Sequence, residues 1–191
     1  MSLSTDNKLI ILDRDGVINE DSDDYVKSVD EWIPIPGSIE AIASLSKAGY
    51  TIAVATNQSG IGRGLFDLDE LEKMHQKLNQ LVLDAGGDIA GIFYCPHVPD
   101  DKCNCRKPRP GLVDAIAYEL QMPVSGSYIV GDTRRDLEAG FVRGCVPILV
   151  KSGKGSRTAL SLAQDNPTLF SKTLIFENLS TFVHQLLDRA P

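Results

Sequence analysis

Asp13 and Asp15 stand two residues apart, directly after the apolar run Leu9-Ile10-Ile11-Leu12. Such a run reads as a buried strand, and in an open α/β sheet ligands bind beyond the carboxyl ends of the strands. Two acids at that edge can share one Mg²⁺ and divide two tasks, one attacking as a nucleophile and the other carrying a proton. Taken alone, an Asp after a strand is more often a turn or helix-capping residue. The remainder of the chain shifts that balance. Thr56-Asn57-Gln58-Ser59 closes a second apolar run, Gly131-Asp132-x-x-x-Asp136 closes another, and Arg106-Lys107 stands in the loop after a third. Carboxylates for a metal, a hydroxyl and amides for oxygens, and cations for an anion suit phosphoryl transfer. That reaction spreads charge over equatorial oxygens and is catalysed mostly by positioning and electrostatics. Singly, Thr56-Asn57 would be a strand-to-turn pair, Lys107 a solvated lysine and Gly131-Asp132 a turn.

A second cluster has different chemistry. Cys95-Pro96-His97 is followed, after five residues, by Cys103-Asn104-Cys105. Three thiolates and one imidazole fill a tetrahedral Zn²⁺ shell, which is then closed and structural. Clustered cysteines in a reducing compartment favour metal over disulfide, and the competing interpretation is incidental clustering of buried thiols. Residues 95–105 contain almost no apolar side chains, so the metal would supply the folding energy of this loop and fix Arg106 and Lys107, which follow it. Cys145 lies apart and reads as a small core residue.

Periodicity supplies the elements that must hold these groups. Strands are expected at residues 8–12, 50–55, 89–94, 127–130 and 146–150. Helices alternate with them: one opened by Pro36-Gly37 and stopped at Gly49, one capped by Asp67 or Asp69 and running to about Asp84, one from Pro110 through Leu120, and one from about Asp136 to Arg143. Residues 156–189 should add a helical piece, a short strand at 173–176 and a final helix, and the polar residues 1–8 a loose lead-in. This alternation predicts the α/β class, with a parallel sheet covered on both faces and right-handed crossovers. The 191 residues, 42% hydrophobic and 24% charged, suffice for one core and show no composition break, so a single domain over 1–191 is expected. No apolar run is long enough for a membrane span and no signal pattern opens the chain, which predicts a cytoplasmic protein. A net charge of −7 without a basic stripe argues against nucleic-acid partners.

Asp13-Arg-Asp-Gly, Thr56-Asn-Gln-Ser-Gly, Cys105-Arg-Lys-Pro and Gly131-Asp132-x-x-x-Asp136 resemble, in order, the four signature segments of the haloacid dehalogenase superfamily of phosphohydrolases, across residues 8–151. The resemblance implies a Rossmann-like doubly wound sheet. It makes Asp13 the nucleophile that forms an aspartyl-phosphate, and Asp15 the acid that protonates the leaving oxygen and then activates water. Thr56 and Lys107 would hold and neutralise the phosphoryl group, and Mg²⁺ would touch Asp13, the Asp15 backbone carbonyl and Asp132. Asp15 should then hold its proton more tightly than Asp13. The segments where relatives insert a cap, residues 19–34 and 60–67, are short, so no large cap domain is expected.

More narrowly, Thr56-Asn-Gln-Ser-Gly-Ile-Gly-Arg-Gly, the Cys/His loop and Cys105-Arg-Lys-Pro are similar to the subgroup holding heptose-bisphosphate and histidinol-phosphate phosphatases, and the chain length favours the former. This implies a small phosphorylated sugar as partner, a monomer, and substrate contacts at Asp21, Tyr25, Asn57, Gln58, Ser59 and Arg106. Arg63, among glycines 60–64, is a further candidate for a phosphate that is not cleaved. Heptose phosphatases commonly carry Lys directly after the fourth-motif Asp. Here Thr133 stands there, and Arg134 or Arg135 can take its place. The alternatives are a histidinol-phosphate or other small polyol-phosphate phosphatase, a polynucleotide 3′-phosphatase, which the acidic balance opposes, and a zinc-stabilised binding module, which has no need for Asp13, Asp15, Thr56, Lys107 and Asp132 together.

Overall fold

A computed structural model describes residues 7–188. In chain order the elements are β1 (Leu9–Leu12), α1 (Ser38–Lys47), β2 (Thr51–Asn57), α2 (Ser59–Gly62), α3 (Leu68–Asp84), β3 (Gly91–Cys95), α4 (Gly111–Glu119), β4 (Tyr128–Gly131), α5 (Arg134–Phe141), β5 (Val146–Val150), α6 (Gly155–Asp165), α7 (Pro167–Lys172), β6 (Leu174–Phe176) and α8 (Leu179–Leu187). All strands pair in parallel, in the order β3-β2-β1-β4-β5-β6. The chain winds outward from β1 through β2 to β3, then returns to β4 beside β1 and winds the other way. The reversal leaves a crevice at the carboxyl ends of β1 and β4, the place where such sheets bind ligands.

The near-continuous apolar strands follow from burial on both faces. Ile10, Leu12, Ile52, Val54 and Val130 point to one side and pack with α1, α3, α8 and the buried Trp32. Leu9, Ile11, Ala53, Ala55 and Ile129 point to the other, against Leu112, Val113 and Ile116 of α4 and Ala139 of α5. Leu137, Leu149, Leu162 and Leu169 join α5, β5, α6 and α7 into a smaller cluster.

The structure departs from the expected elements at informative places. The helical piece after residue 155 is two helices, because Pro167 cannot donate and Asn166 caps a new start by accepting from Leu169 N at 3.1 Å. α5 begins at Arg134, two residues early, because the Asp136 carboxylate accepts from the Thr133 N–H at 3.0 Å. Residues 1–6 of the expected lead-in lie outside the described residues. Asn7 and Lys8 are not loose: Asn7 donates to the Ser125 carbonyl at 3.0 Å, and the Lys8 carbonyl accepts from Thr51 N at 2.8 Å.

Candidate active site

Asp13 and Asp132 leave the ends of the adjacent strands β1 and β4, and the Asp13 N–H donates to the Val130 carbonyl at 2.9 Å. Gly16, at φ +83°, turns the chain after β1 so closely past the Asp132 carboxylate that a Cβ there would overlap it. Only glycine combines that conformation with that approach.

Lys107 is buried among these acids. Its ammonium lies 2.8 Å from Asp13 Oδ1 and 2.7 Å from Asp136 Oδ1, and donates to the Ala55 carbonyl at 2.7 Å. A lysine has three N–H groups, and these three acceptors use them all. The Lys107 backbone is fixed by β2 as well: its N–H donates to Asn57 Oδ1 at 3.1 Å, and Asn57 Nδ2 donates to its carbonyl at 3.2 Å. Burial alone would lower the proton affinity of Lys107, but Asp13 and Asp136 raise it above the ordinary lysine value. Asp136 is held below the usual carboxylate range despite burial, chiefly by Lys107.

Asp13 and Asp132 fare differently. Burial and the charge of Asp136 push Asp13 well above its ordinary value, more than Lys107 offsets. The same two causes raise Asp132 to about 7. Asp13, Asp132 and Asp136 present oxygens within 4.8 Å of one another. Since Lys107 is taken up by Asp136 and Asp13 together, the set remains short of positive charge, and that is the condition a divalent cation on carboxylate oxygens relieves. The residues fit Mg²⁺.

The expected order of proton affinities, Asp15 above Asp13, belongs to the site with Mg²⁺ on Asp13; the protein's own charges set the reverse order. Burial would raise Asp15, but the Arg14 guanidinium, at 2.9 Å from Oδ1 and 3.1 Å from Oδ2, outweighs that effect. Asn19 Nδ2 and Gln58 Nε2 each donate to it at 2.9 Å. Among protein charges alone, Asp15 is the stronger acid and Asp13 the weaker. Gln58 also donates to Thr56 Oγ1 at 2.8 Å, which ties the hydroxyl to the acid.

A single cavity is lined by Asp13, Asp15, Thr56, Lys107 and Asp132, and also by Asp21, Tyr25, Asn57, Gln58, Ser59 and Arg106. Two candidates do not reach it. Arg63 is exposed at the end of α2, a helix that begins at Ser59 and packs its Gly62 N–H on the Pro96 carbonyl at 3.1 Å. Arg134 instead approaches Glu138 at 3.5 Å and Asp165 at 3.7 Å. Of the two arginines offered in place of the usual Lys, Arg135 is the one in the lining, since neighbouring helical residues face about 100° apart and only one of the two can point inward. Two further groups escaped the sequence reading: Arg14, fully buried behind Asp15, and Lys154. The signal for Lys154 was available, since Lys151-Ser-Gly-Lys154 follows the fifth apolar run as the other site residues follow theirs.

β3 ends at Cys95, paired in register with Asn57 of β2. Its Sγ lies 3.6 Å from His97 Nδ1, 3.6 Å from Cys103 Sγ and 3.2 Å from Cys105 Sγ. Cys105 Sγ is 3.3 Å from His97 Nδ1 and 3.4 Å from Cys103 Sγ. Ligands about 2.3 Å from a tetrahedral zinc are separated by somewhat under 4 Å, so the four donors already stand near the corners of such a shell. Burial, then the Cys105 thiol, pushes Cys95 up to about 12. Three thiolates so close need a cation among them, and the donor set fits Zn²⁺.

The HAD-hydrolase-like family model matches residues 104–175. A Pseudomonas putida protein named D-glycero-beta-D-manno-heptose-1,7-bisphosphate 7-phosphatase is 54% identical over 180 residues, 94% of this chain and 99% of the relative. A Pseudomonas aeruginosa protein of the same name is 56% identical over 180 residues, 94% and 98% of the two chains. Among solved structures, D,D-heptose 1,7-bisphosphate phosphatase from B. bronchiseptica, complexed with magnesium and phosphate, matches with a TM-score of 0.89 at 49% identity, covering 96% of this chain and 99% of that one.

Proposed function

Because the chain belongs to the D-glycero-β-D-manno-heptose-1,7-bisphosphate 7-phosphatase family of haloacid dehalogenase-like hydrolases, we propose that it removes the C7 phosphate of a D-glycero-D-manno-heptose 1,7-bisphosphate through an aspartyl-phosphate on Asp13. The observation that carries the reading is the buried Lys107 between Asp13 and Asp136, at the mouth of a cavity where Asp13 keeps 12% of its side chain exposed. A buried carboxylate held by a lysine yet open to a ligand is placed to attack.

Asp13, Asp132 and the Asp15 carbonyl would hold Mg²⁺, which supplies charge neutralisation between an anionic nucleophile and an anionic phosphoryl group. An Asp13 oxygen bonds to phosphorus as the bond to the C7 oxygen breaks, and Asp15 gives its proton to that oxygen. Asp15, now ionised, takes a proton from water as the water oxygen attacks phosphorus. The bond to Asp13 breaks and inorganic phosphate leaves. The donors around Asp15 fix its orientation and favour the ionised form needed in the second step. The three N–H groups of Lys107 are already taken, so its part is electrostatic, and Thr56 binds a phosphoryl oxygen. No carboxylate among the described residues pairs with Arg106 or Arg135, and these two guanidiniums are assigned to the retained phosphate. Asp21 and Tyr25 face the sugar. Cys95, His97, Cys103 and Cys105 hold a structural Zn²⁺. The reading includes a cytoplasmic monomer acting on a small phosphorylated sugar.

Phosphate release with Mg²⁺ from both heptose bisphosphate anomers, histidinol phosphate and a 3′-phosphorylated oligonucleotide tests the reading. The expected result is a kcat/KM for heptose bisphosphate at least about tenfold above the others, worth about 1.4 kcal/mol at the transition state. The β anomer named in the relatives should be preferred. Equal or higher values for histidinol phosphate or the oligonucleotide would overturn it.

A further inference from the structure

Lys154 lies in the loop between β5 and α6 and joins parts of the cavity wall that are far apart in sequence. Its backbone N–H donates to Asp132 Oδ2 at 2.7 Å. Its ammonium stands 2.8 Å from Asp21 Oδ2 and 3.2 Å from Asp23 Oδ1. The two contacts differ in weight. Asp21 is 18% exposed and Asp23 87%, and a pair with a fully solvated acid contributes little, so Asp21 is the partner that matters. The same loop meets the turn after β1 at another point, where Ser152 Oγ donates to the Gly16 carbonyl at 2.7 Å. A Cβ on Gly153 would overlap both Asp132 and Gly16.

The charge balance of the cavity gives this contact its meaning. Six carboxylates line it, those of Asp13, Asp15, Asp21, Asp23, Asp132 and Asp136, against the cations of Arg106, Lys107, Arg135 and Lys154. Lys107 is committed to Asp13 and Asp136. Lys154 is the cation that meets the acidic loop from across the cavity, and without it Asp21 and Asp23 would present uncompensated negative charge to an anionic substrate. The loop also carries Tyr25 at φ +65°, a conformation that a bulky residue keeps only when its surroundings hold it.

We propose that Lys154 is a positioning residue for substrate selection, holding residues 21–25 through Asp21 as the wall that meets the sugar. The proposal rests on the heptose bisphosphatase reading and names a residue outside the motifs that led to it. Lys154 acts through the loop, not on the reacting phosphoryl group. Its loss should therefore weaken capture of a substrate that reaches the loop and spare one that does not.

The test compares Lys154→Met, Lys154→Arg, Asp21→Asn and the Asp21→Asn/Lys154→Met double variant on heptose bisphosphate and on p-nitrophenyl phosphate, with Mg²⁺. Lys154→Met should raise KM for heptose bisphosphate by about tenfold or more while kcat falls less than about threefold. Lys154→Arg should recover most of the loss. The double variant should be no worse than the worse single one, because both break the same contact. Turnover of p-nitrophenyl phosphate by Lys154→Met should change by less than about threefold. Equal losses on both substrates, a fall confined to kcat, or additive effects in the double variant would overturn the proposal. A wild-type protein that cleaves p-nitrophenyl phosphate but ignores heptose bisphosphate would instead overturn the parent reading, and this one with it.

Discussion

The carboxylate cavity and the Cys/His cluster lie one strand apart, and they are assembled in opposite ways. The cavity gathers residues from position 13 to position 154, and only the parallel pairing of β1 with β4 brings Asp13 beside Asp132. Its charges already have protein partners: Lys107 sits between Asp13 and Asp136, and Arg14, Asn19 and Gln58 surround Asp15. The cluster draws its four donors from residues 95–105 and is anchored to the sheet by Cys95 at the end of β3. Its thiols face one another at 3.2 to 3.6 Å, and among the described residues no protein cation is placed between the four donors as Lys107 is among the aspartates. A site made by the sheet is shaped before its ion arrives, with proton affinities bearing the cost of crowded charge. A site made by one loop depends on its ion for its shape.

Lys107 belongs to both regions, so changing it gives the sharpest break. Lys107→Met leaves Asp13 and Asp136 buried together without a counter-ion. The expected cost is about 3–5 kcal/mol of stability at neutral pH, with turnover down by about three orders of magnitude or more. The sign of the pH dependence follows. In the variant the carboxyl pair binds protons more tightly folded than unfolded, so the penalty is present at neutral pH and fades as pH falls and one acid becomes neutral. Urea titrations from pH 8 to pH 5 measure this. A variant as stable as wild type at pH 8 would show that the fold does not depend on the clamp.

Cys103→Ser, or stripping by a strong chelator, should have a smaller effect, up to about 100-fold on kcat/KM, through misplacement of the residues that follow the loop. The reason it is not larger is Asn57, which holds the Lys107 backbone from β2 whether or not the cluster is intact. Amide exchange should rise within residues 96–106 and remain slow in β1 and β4, and added Mg²⁺ should not reverse it. Exchange spreading into the sheet would mean that the two regions are one cooperative unit.

Much of this was legible in the sequence because the strands announce themselves by buried runs and the site residues follow them directly. Alternation and the crossover rule were enough for a parallel sheet with right-handed connections, and the motif resemblance for its double winding; the strand order itself comes from the structure. Illegible features depended on where a helix began or which groups faced one another in space. The Asp136 carboxylate caps an early start of α5, and on that helix Arg135 lines the cavity while Arg134 lies outside with Glu138 and Asp165. A short helix at Ser59 ends with Arg63 in solvent. Arg14 reads as a spacer between two aspartates, yet its guanidinium reaches Asp15 and lowers the proton affinity of that acid. Lys154 lies beyond the last recognised motif and becomes part of the cavity only through the approach of Gly153 to Gly16.

The central claim is that Asp13 takes the phosphoryl group. Acid-quenched turnover of heptose bisphosphate, followed by mass spectrometry of the peptide holding residues 13–15, measures it directly. The account predicts a phosphoryl adduct on Asp13 that disappears in Asp13→Asn together with phosphate release, while the variant remains folded. An adduct on another residue, or phosphate release persisting in Asp13→Asn, would contradict it.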